Sequence, residues 1–552
     1  MKKVRNVFYG SAILVLSHLQ VSAQIKFEDV TDKSSIVDPL KGIMGHGAAW
    51  GDVNGDGYPD LFVGNFGDRP DEKFNLRGHT TGPEPDKLLI NQGNGTFKEV
   101  MESPVRVLGR NSGAAFADFD DDGDLELVTS HQSYDGPSAV GTKFERPPGF
   151  NIQNEKPNNF LFENDGKGNF TDVTAKSGLD FGWPFMGRNT FVLDFDGDGL
   201  LDLLMQEDFV APYKSGGNSR LMKNMGDLIF QDVTAQAGLP SGYRTGIHGL
   251  GGVVGDLNGD TWPDIFFAHT CRMFINNGDG TFHEKKYRMV PEIMMEPATI
   301  NSNWTCGADM GDIDNDGDMD LVMGDHLLND NPDHKIYIFL NEGNDGQGNP
   351  IYRDITAKAG IANIGGKAPH LQWQDFDNDG LLDLMTTNYD AFLYRNTGVV
   401  DGIPQFGVPI DSGAGEGLGY WPSGPLADYD RDGRVDFFGV EWEAYAPSRL
   451  LRNVSPNAGN YLDVRLDLKK SGNRNGIGAT VEIFEKGFLG KKNGLLATRI
   501  ISVSNGYSSG YEALAHFGLP HNETVDIRVT MPGDGKTYKK RNVKRNQLFV
   551  IH

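Results

Sequence analysis

Cys271 and Cys306 are the only cysteines among 552 residues, so no cysteine framework holds this chain together and at most one disulfide can form. One bond or two buried thiols both remain open. Basic residues are scarce as well: 51 Lys and Arg stand against 76 Asp and Glu, a formal net charge of -25. Nucleic acids and anionic membranes are bound by clustered Lys and Arg; the balance disfavours both and favours cations. Hydrophobic content is only 38%, and beyond the first residues no apolar run approaches the roughly 18 needed to span a bilayer. With 72 glycines, the composition suits many short strands and turns, with little helix.

The N-terminus has its own character. Met1-Lys2-Lys3-Val4-Arg5 is basic, Ala12-Ile13-Leu14-Val15-Leu16 is apolar, and Val21-Ser22-Ala23 has the small residues that signal peptidase accepts before Gln24. Residues 1–23 read as a secretory signal, which places the mature protein outside the cell, in the periplasm or at the cell surface. No cysteine stands near the cleavage site to carry a lipid.

A nine-residue pattern, D-x-[DN]-x-D-[GT]-x-x-[DE], occurs seven times, starting at Asp52, Asp118, Asp194, Asp256, Asp312, Asp375 and Asp428. The starts are 53 to 76 residues apart, a spacing that fits one four-stranded propeller blade per copy. Small and apolar residues precede each loop, as in Gly47-Ala48-Ala49-Trp50, and short apolar runs such as Leu203-Leu204-Met205 follow it. A third strand such as Leu88-Leu89-Ile90-Asn91 then leads through a turn to an aromatic fourth strand beginning at Phe97, Phe170, Phe230, Phe282, Tyr352 or, more weakly, Phe406. The seventh copy lacks that fourth strand. Phe27-Glu28-Asp29-Val30-Thr31, which precedes the first loop with no blade of its own, supplies it. The expectation is an all-β chain: a seven-bladed propeller over residues 24–456, closed by its N-terminal strand so that no sheet edge stays open, and a small β-rich domain over 460–552.

Each loop is a candidate calcium site, because calcium takes six to eight hard oxygen ligands and alternate side chains of a tight loop converge on one centre. Positions 1, 3, 5 and 9 supply side-chain oxygen and position 7 a backbone carbonyl. The ligand sets are Asp52, Asn54, Asp56, Tyr58 and Asp60; Asp118, Asp120, Asp122, Asp124 and Glu126; and Asp194, Asp196, Asp198, Leu200 and Asp202. They continue with Asp256, Asn258, Asp260, Trp262 and Asp264; Asp312, Asp314, Asp316, Asp318 and Asp320; Asp375, Asp377, Asp379, Leu381 and Asp383; and Asp428, Asp430, Asp432, Arg434 and Asp436. Positions 1, 3, 5 and 9 hold 26 carboxylates, with Asn54 and Asn258 in the other two places. Metal-free Asx turns explain any one copy, but not seven in the same ligand phase. The twelfth position carries Val63, Met205 or Met323 rather than a bidentate Glu, so these are inter-strand loops and not EF-hands. Up to seven Ca2+ ions are expected to stabilise blades rather than to signal or catalyse. The fourth loop is the weakest, since Thr261 replaces Gly at the bend.

These repeats resemble FG-GAP/VCBS repeats, the blade units of integrin α-subunit propellers, over roughly residues 25–456. From about Asn460 the chain resembles the ASPIC/UnbV domain, through Asn473-Arg474-Asn475-Gly476-Ile477-Gly478-Ala479, Asn505-Gly506-Tyr507-Ser508-Ser509, His516-Phe517-Gly518-Leu519 and Val525-Asp526-Ile527. The combination resembles the cartilage acidic protein family, which implies extracellular calcium binding and interaction with other molecules but no catalytic mechanism. Two departures stand out. Gly510 follows Ser where the family commonly has Gln, and Met531-Pro532-Gly533 replaces Trp-Pro-Ser.

If the acidic loops share one face, the long connections 64–87 and 129–159 emerge on the other, and that face is the candidate binding surface. Just before successive first strands lie His46, Arg110, Arg188, His248, Trp304, His370 and Trp421. They are candidates to line an axial funnel for a sugar or an acidic ligand, although loop anchoring or plugging explains the same residues. His131, Glu207, His269, Asp325 and His326, near second-strand ends, are the groups a catalytic site would draw on. No Gly-x-Ser-x-Gly elbow, His-Glu-x-x-His helix or phosphate loop stands in its required context. The favoured reading is a monomeric binding or adhesion module for a glycan or extracellular protein. The alternative is a calcium-dependent polysaccharide-acting enzyme with its site in the funnel, which requires His46, His248 and His370 to converge on an acid around an open pocket.

Overall fold

A computed structural model describes residues 25–552, apart from 67–83, 133–158, 182–184, 186, 208–218, 242–248, 286–304, 326–335, 362–369, 388–390, 409, 411, 414–420, 444–445 and 470. The expected signal segment lies outside the described residues.

The fold is all-β, and its first part is built from the repeat. In the first unit, Gly45–Gly51, Asp60–Asn65, Lys87–Asn91 and Phe97–Glu99 pair in sequence order, all antiparallel. The next four units repeat that order. In the sixth, His370–Gln374, Asp383–Thr387 and Ala391–Tyr394 form the sheet, and the chain continues into a hairpin of Asn396–Val400 with Ile403–Phe406. The seventh contributes Leu426–Ala427, Asp436–Gly439 and Arg449–Asn453, and its outer strand is Phe27–Asp29, with Phe27 opposite Asn453 and Asp29 opposite Leu451.

Every strand alternates its side chains between two faces, so each unit buries one face against the unit before it and one against the unit after. The apolar core is therefore divided. Phe62, Phe116 and Leu127 pack between units one and two; Leu371, Leu384 and Ile338 between five and six; and Trp50, Val63, Ala427 and Phe438 between seven and one.

A hydrogen bond that recurs at or near the end of the third strand ties neighbours together. Asn91, Asn164, Asn224, Asn276, Asn341, Asn396 and Asn453 each donate through Nδ2 to a loop carbonyl of the preceding unit. The acceptors are Tyr429, Val53, Phe119, Phe195, Leu257, Ile313 and Phe376, at 2.8 to 3.1 Å. The bond from Asn91 to Tyr429 joins unit one to unit seven. Buried amides with such partners are expensive to remove.

The remaining chain forms two sheets. Tyr461–Leu466 lies between Ala515–Gly518 and Leu548–Ile551, and Leu495–Ile500, Thr480–Glu485, Thr524–Thr530 and Thr537–Lys544 pair in that order. Their inner faces share one apolar cluster that includes Leu462, Val481, Ile483, Phe517 and Ile527. Cys306 is buried and Cys271 partly so.

Candidate functional site: acidic loops and a plugged axis

The seven loops share one local construction. The position-1 carboxylate accepts the backbone N–H of position 6 in every copy, from Gly57 to Asp52 at 2.9 Å through to Gly433 to Asp428 at 2.8 Å. The position-9 carboxylate accepts the N–H of position 2, as Asp60 does from Val53 at 3.0 Å. In six copies it also accepts the backbone N–H of the third-strand asparagine at 2.7 to 2.8 Å. The second loop has Glu126 in that place, and its Oε1 is buried without a partner.

These contacts bring carboxylates together. Ligand atoms of Asp118, Asp120 and Asp122, of Asp194, Asp196 and Asp202, of Asp312, Asp314 and Asp316, of Asp375, Asp377 and Asp383, and of Asp428, Asp430 and Asp436 lie within 4.8 Å of one another in each group. One oxygen of every position-3 aspartate, Asp120, Asp196, Asp314, Asp377 and Asp430, is buried with no hydrogen-bond partner. An unpaired buried carboxylate oxygen is costly, and five in the same place of five loops fit a hard cation with an all-oxygen shell. Without one, burial pushes the carboxyl of Asp60 up to about 8. Burial, helped by Asp122 and Asp120, takes Asp118 to about 7.

The loops are not equivalent. In the third, Lys223 reaches Asp196 and also Asp198 at 2.8 Å; in the sixth, Arg395 pairs with Asp377 at 2.7 Å; in the seventh, Arg452 pairs with Asp430 at 2.6 Å. The first and fourth have Asn54 and Asn258 at position 3, and Asn258 donates to Asp260 at 2.9 Å. Thr261 adopts φ 80° at the bend, a left-handed conformation that is an outlier for a β-branched residue. A two-way contact with the C-terminal domain accompanies it: Gly533 N–H donates to Thr261 O at 3.0 Å, and Thr261 Oγ1 donates to Gly533 O at 3.1 Å.

That contact belongs to a larger one. The C-terminal domain sits on the loop end of the ring. Gly472 N–H donates to Asp121 of the second loop at 3.2 Å, His516 is hydrogen-bonded to Asn378 of the sixth at 2.8 Å, and Arg431 of the seventh makes a two-pronged pair with Glu512 at 2.6 and 2.9 Å.

From this domain the segment Ser504–Gly510 enters the ring. Val192 N–H donates to Ser504 Oγ at 3.0 Å and Val254 N–H to Asn505 Oδ1 at 3.2 Å. Gly506 exchanges backbone bonds with Gly252. Asn189 donates to Gly506 O and accepts from Ser508 N–H, both at 2.7 Å. Ser509–Gly510 pairs in parallel with Ala48 and Ala49. A Cβ at position 510 would lie 2.6 Å from Ala49 Cβ and 2.7 Å from Ala114 O, so glycine at this departure from the family pattern permits the close approach. Both departures noted in the sequence therefore fall on the junction between the two regions.

The funnel candidates meet this plug. His46, 4% exposed, is hydrogen-bonded through Nε2 to Tyr507 Oη at 2.8 Å and through Nδ1 to Ser508 Oγ at 3.1 Å. Half-buried Arg188 donates to Tyr507 Oη at 3.3 Å. His370 is fully buried and bonded to Gly424 O at 3.1 Å, Trp421 donates to Glu441 at 3.1 Å, and Arg110 is buried. His248 and Trp304 lie outside the described residues. Among the second-strand candidates, His131, Glu207 and His269 are buried. Burial lowers His131 to about 3, so the ring is neutral. His326 and the side chain of Asp325 lie outside the described residues. The sequence shows Asn505-Gly506-Tyr507-Ser508-Ser509 as a motif of the C-terminal domain but not as a plug, and it shows the asparagine without its partner in the neighbouring unit. The asparagine was visible as the residue at or near the end of each third strand; the plug left no signal in spacing.

Comparison with known proteins supports the family resemblance read from the sequence. A profile of FG-GAP-like repeats matches residues 52–129 and 256–323, and the ASPIC and UnbV profile matches 469–552. Cartilage acidic protein 1 from Homo sapiens is 28% identical over 387 residues, covering 66% of this chain and 53% of the relative; that from Xenopus tropicalis is 26% identical, covering 66% and 54%. The chain thus spans about half the length of these curated relatives. Among solved structures, a rhamnogalacturonan lyase from Bacillus licheniformis aligns with a TM-score of 0.37 at 14% identity, covering 74% of this chain and 71% of that one. The chain carries FG-GAP-like repeats and an ASPIC and UnbV domain, and it is similar to cartilage acidic protein 1 over two thirds of its length.

Proposed function

We propose that this chain is an exported calcium-binding propeller of seven blades that presents a binding surface for a glycan or protein partner at the end of the ring away from its C-terminal domain. The observation that carries this reading is the use made of the other end. The C-terminal domain sits on the acidic loops and fills the axis with Ser504–Gly510, so loops and axis serve internal architecture. Partner recognition falls to the opposite end, where the strands that flank the connections 64–87 and 129–159 end; most of both connections lies outside the described residues. Calcium is the ion of choice for an all-oxygen loop of this kind, and it would hold the blades in register. His46 and His370, which a funnel enzyme needs free, are engaged within the protein.

The test is a broad glycan array probed with the mature protein in calcium and in chelator, with metal content measured beforehand. Several calcium ions per chain and calcium-dependent retention of intact glycan are the expected result. Shortened or unsaturated products would replace this reading with an enzyme, and absence of bound calcium would remove its metal half.

A further inference from the structure

The strand Thr537–Lys544 is the outer edge of the larger C-terminal sheet, and its charge is at odds with the rest of the molecule. Residues 536–545, Lys-Thr-Tyr-Lys-Lys-Arg-Asn-Val-Lys-Arg, hold six cations and no acid. The run carries +6 in a chain of net -25, leaving the other residues at -31. The sparse basic content thus hides one dense cluster. Lys536, Lys539, Arg541 and Lys544 are exposed, and Lys540 and Arg545 partly so. Among the described residues, the ion pair that the run makes is Arg541 with Asp526 at 3.8 Å; Lys536 lies 5.0 Å from the centre of the Tyr538 ring.

Lysines commonly guard exposed edges against pairing with other chains. One or two suffice for that, and a guard needs no cations beyond the strand, whereas Lys536 and Arg545 extend this run past both ends. Runs of this density are electrostatic footprints for polyanions. We propose that this edge is a binding track for a linear acidic polysaccharide, one bearing sulfate or carboxylate groups. The eight-residue strand spans about 27 Å at about 3.4 Å per residue, and its cations alternate between the two faces of the edge, a band of charge one strand wide. A thin, flexible polyanion can follow that band and touch little else. Duplex DNA or an anionic membrane is broad, and would be pressed against a molecule that is otherwise strongly acidic. The track is on the C-terminal domain, so it goes beyond the function proposed for the ring and stands or falls separately from it.

Heparin serves as the probe, with the full-length protein kept in calcium and affinity measured between about 50 and 200 mM salt. Retention is expected, with a log-log salt slope of about -4, from six contacts at about 0.7 each. The triple variant Lys539→Gln/Lys540→Gln/Arg541→Gln should bind at least about tenfold more weakly and bring the slope to about -2. Lys536→Gln/Arg545→Gln, beyond the strand, should lower the slope by about 1 to 2 without touching the sheet. Lys491→Gln/Lys492→Gln, elsewhere on the same domain, should leave binding unchanged. Failure to bind heparin at 50 mM salt, unchanged binding by the end-of-run variant, or equal or tighter binding to duplex DNA or phosphatidylserine vesicles would overturn the proposal.

Discussion

The ring and the C-terminal sandwich solve the same problem, how to bury sheet faces, in opposite ways. The sandwich closes two sheets over one apolar cluster, and among the described residues none of the grouped acidic ligands belongs to it. The ring splits its apolar contacts between neighbouring blades and puts concentrated negative charge at the end of every one. Solvent conditions therefore act on the two regions unequally. Chelation is the harshest way to test this. Removing metal leaves orphaned carboxylate oxygens in five loops, each facing like charges, whereas ligation at saturating calcium contributes about 3 to 4 kcal/mol per site. A drop in melting temperature on the order of 10 °C or more is expected for the ring, reversed by calcium. Amide exchange followed segment by segment would show protection lost in residues 45–453 before 480–530; simultaneous loss would erase the contrast.

Proton concentration is a gentler probe and separates the metal-free from the metal-bound ring. Burial raises Asp60 to about 8 and Asp118, Asp194, Asp312 and Asp428 to about 7, against about 3.9 for an unfolded aspartate. Between pH 4 and 8 the metal-free fold binds protons that the unfolded chain does not, so its stability falls as pH rises through that window. Bound calcium would hold the same carboxylates ionised and reverse the sign. Metal-free protein should melt a few degrees higher at pH 5 than at pH 8, while the increment added by calcium should grow from pH 5 to 8. Parallel curves with and without metal would show that the loops are not the titrating groups.

Legibility in the sequence follows the same divide. A repeat announces itself through spacing: the seven aspartate starts, the aromatic fourth strands and the orphan Phe27 strand gave away the blade order, and Phe27 indeed lies opposite Asn453. What one copy shows about its own residues could be read; what one region does to another could not. Position 9 reads as a metal ligand, yet in six loops both its oxygens also hold backbone N–H groups, as Asp60 does for Val53 and Asn91. His46 and Arg188 read as a funnel because nothing local says that Tyr507, more than 300 residues later, lies against them. The basic run at 536–545 was hidden by averaging, since net charge describes a whole chain and a docking edge involves ten residues.

The smallest effect expected is also the most direct probe of how the two regions are joined. Tyr507→Phe removes one oxygen and keeps the ring that packs edge-on against His46 at 5.1 Å between centroids. It deletes the 2.8 Å bond to His46 Nε2 and the acceptor for Arg188, while Ser508 Oγ still holds His46 Nδ1. Loss of one buried hydrogen bond and one partly exposed one costs about 1 to 3 kcal/mol, which in a chain of this size amounts to a shift of a few degrees. A single transition displaced by that amount means the plug is one contact among many along Ser504–Gly510, with the backbone pairing to Ala48 and Gly252 carrying the rest. If two separate transitions appear instead, the Tyr507–His46 bond is the point through which ring and sandwich unfold together, and the contrast between them is mechanical as well as chemical.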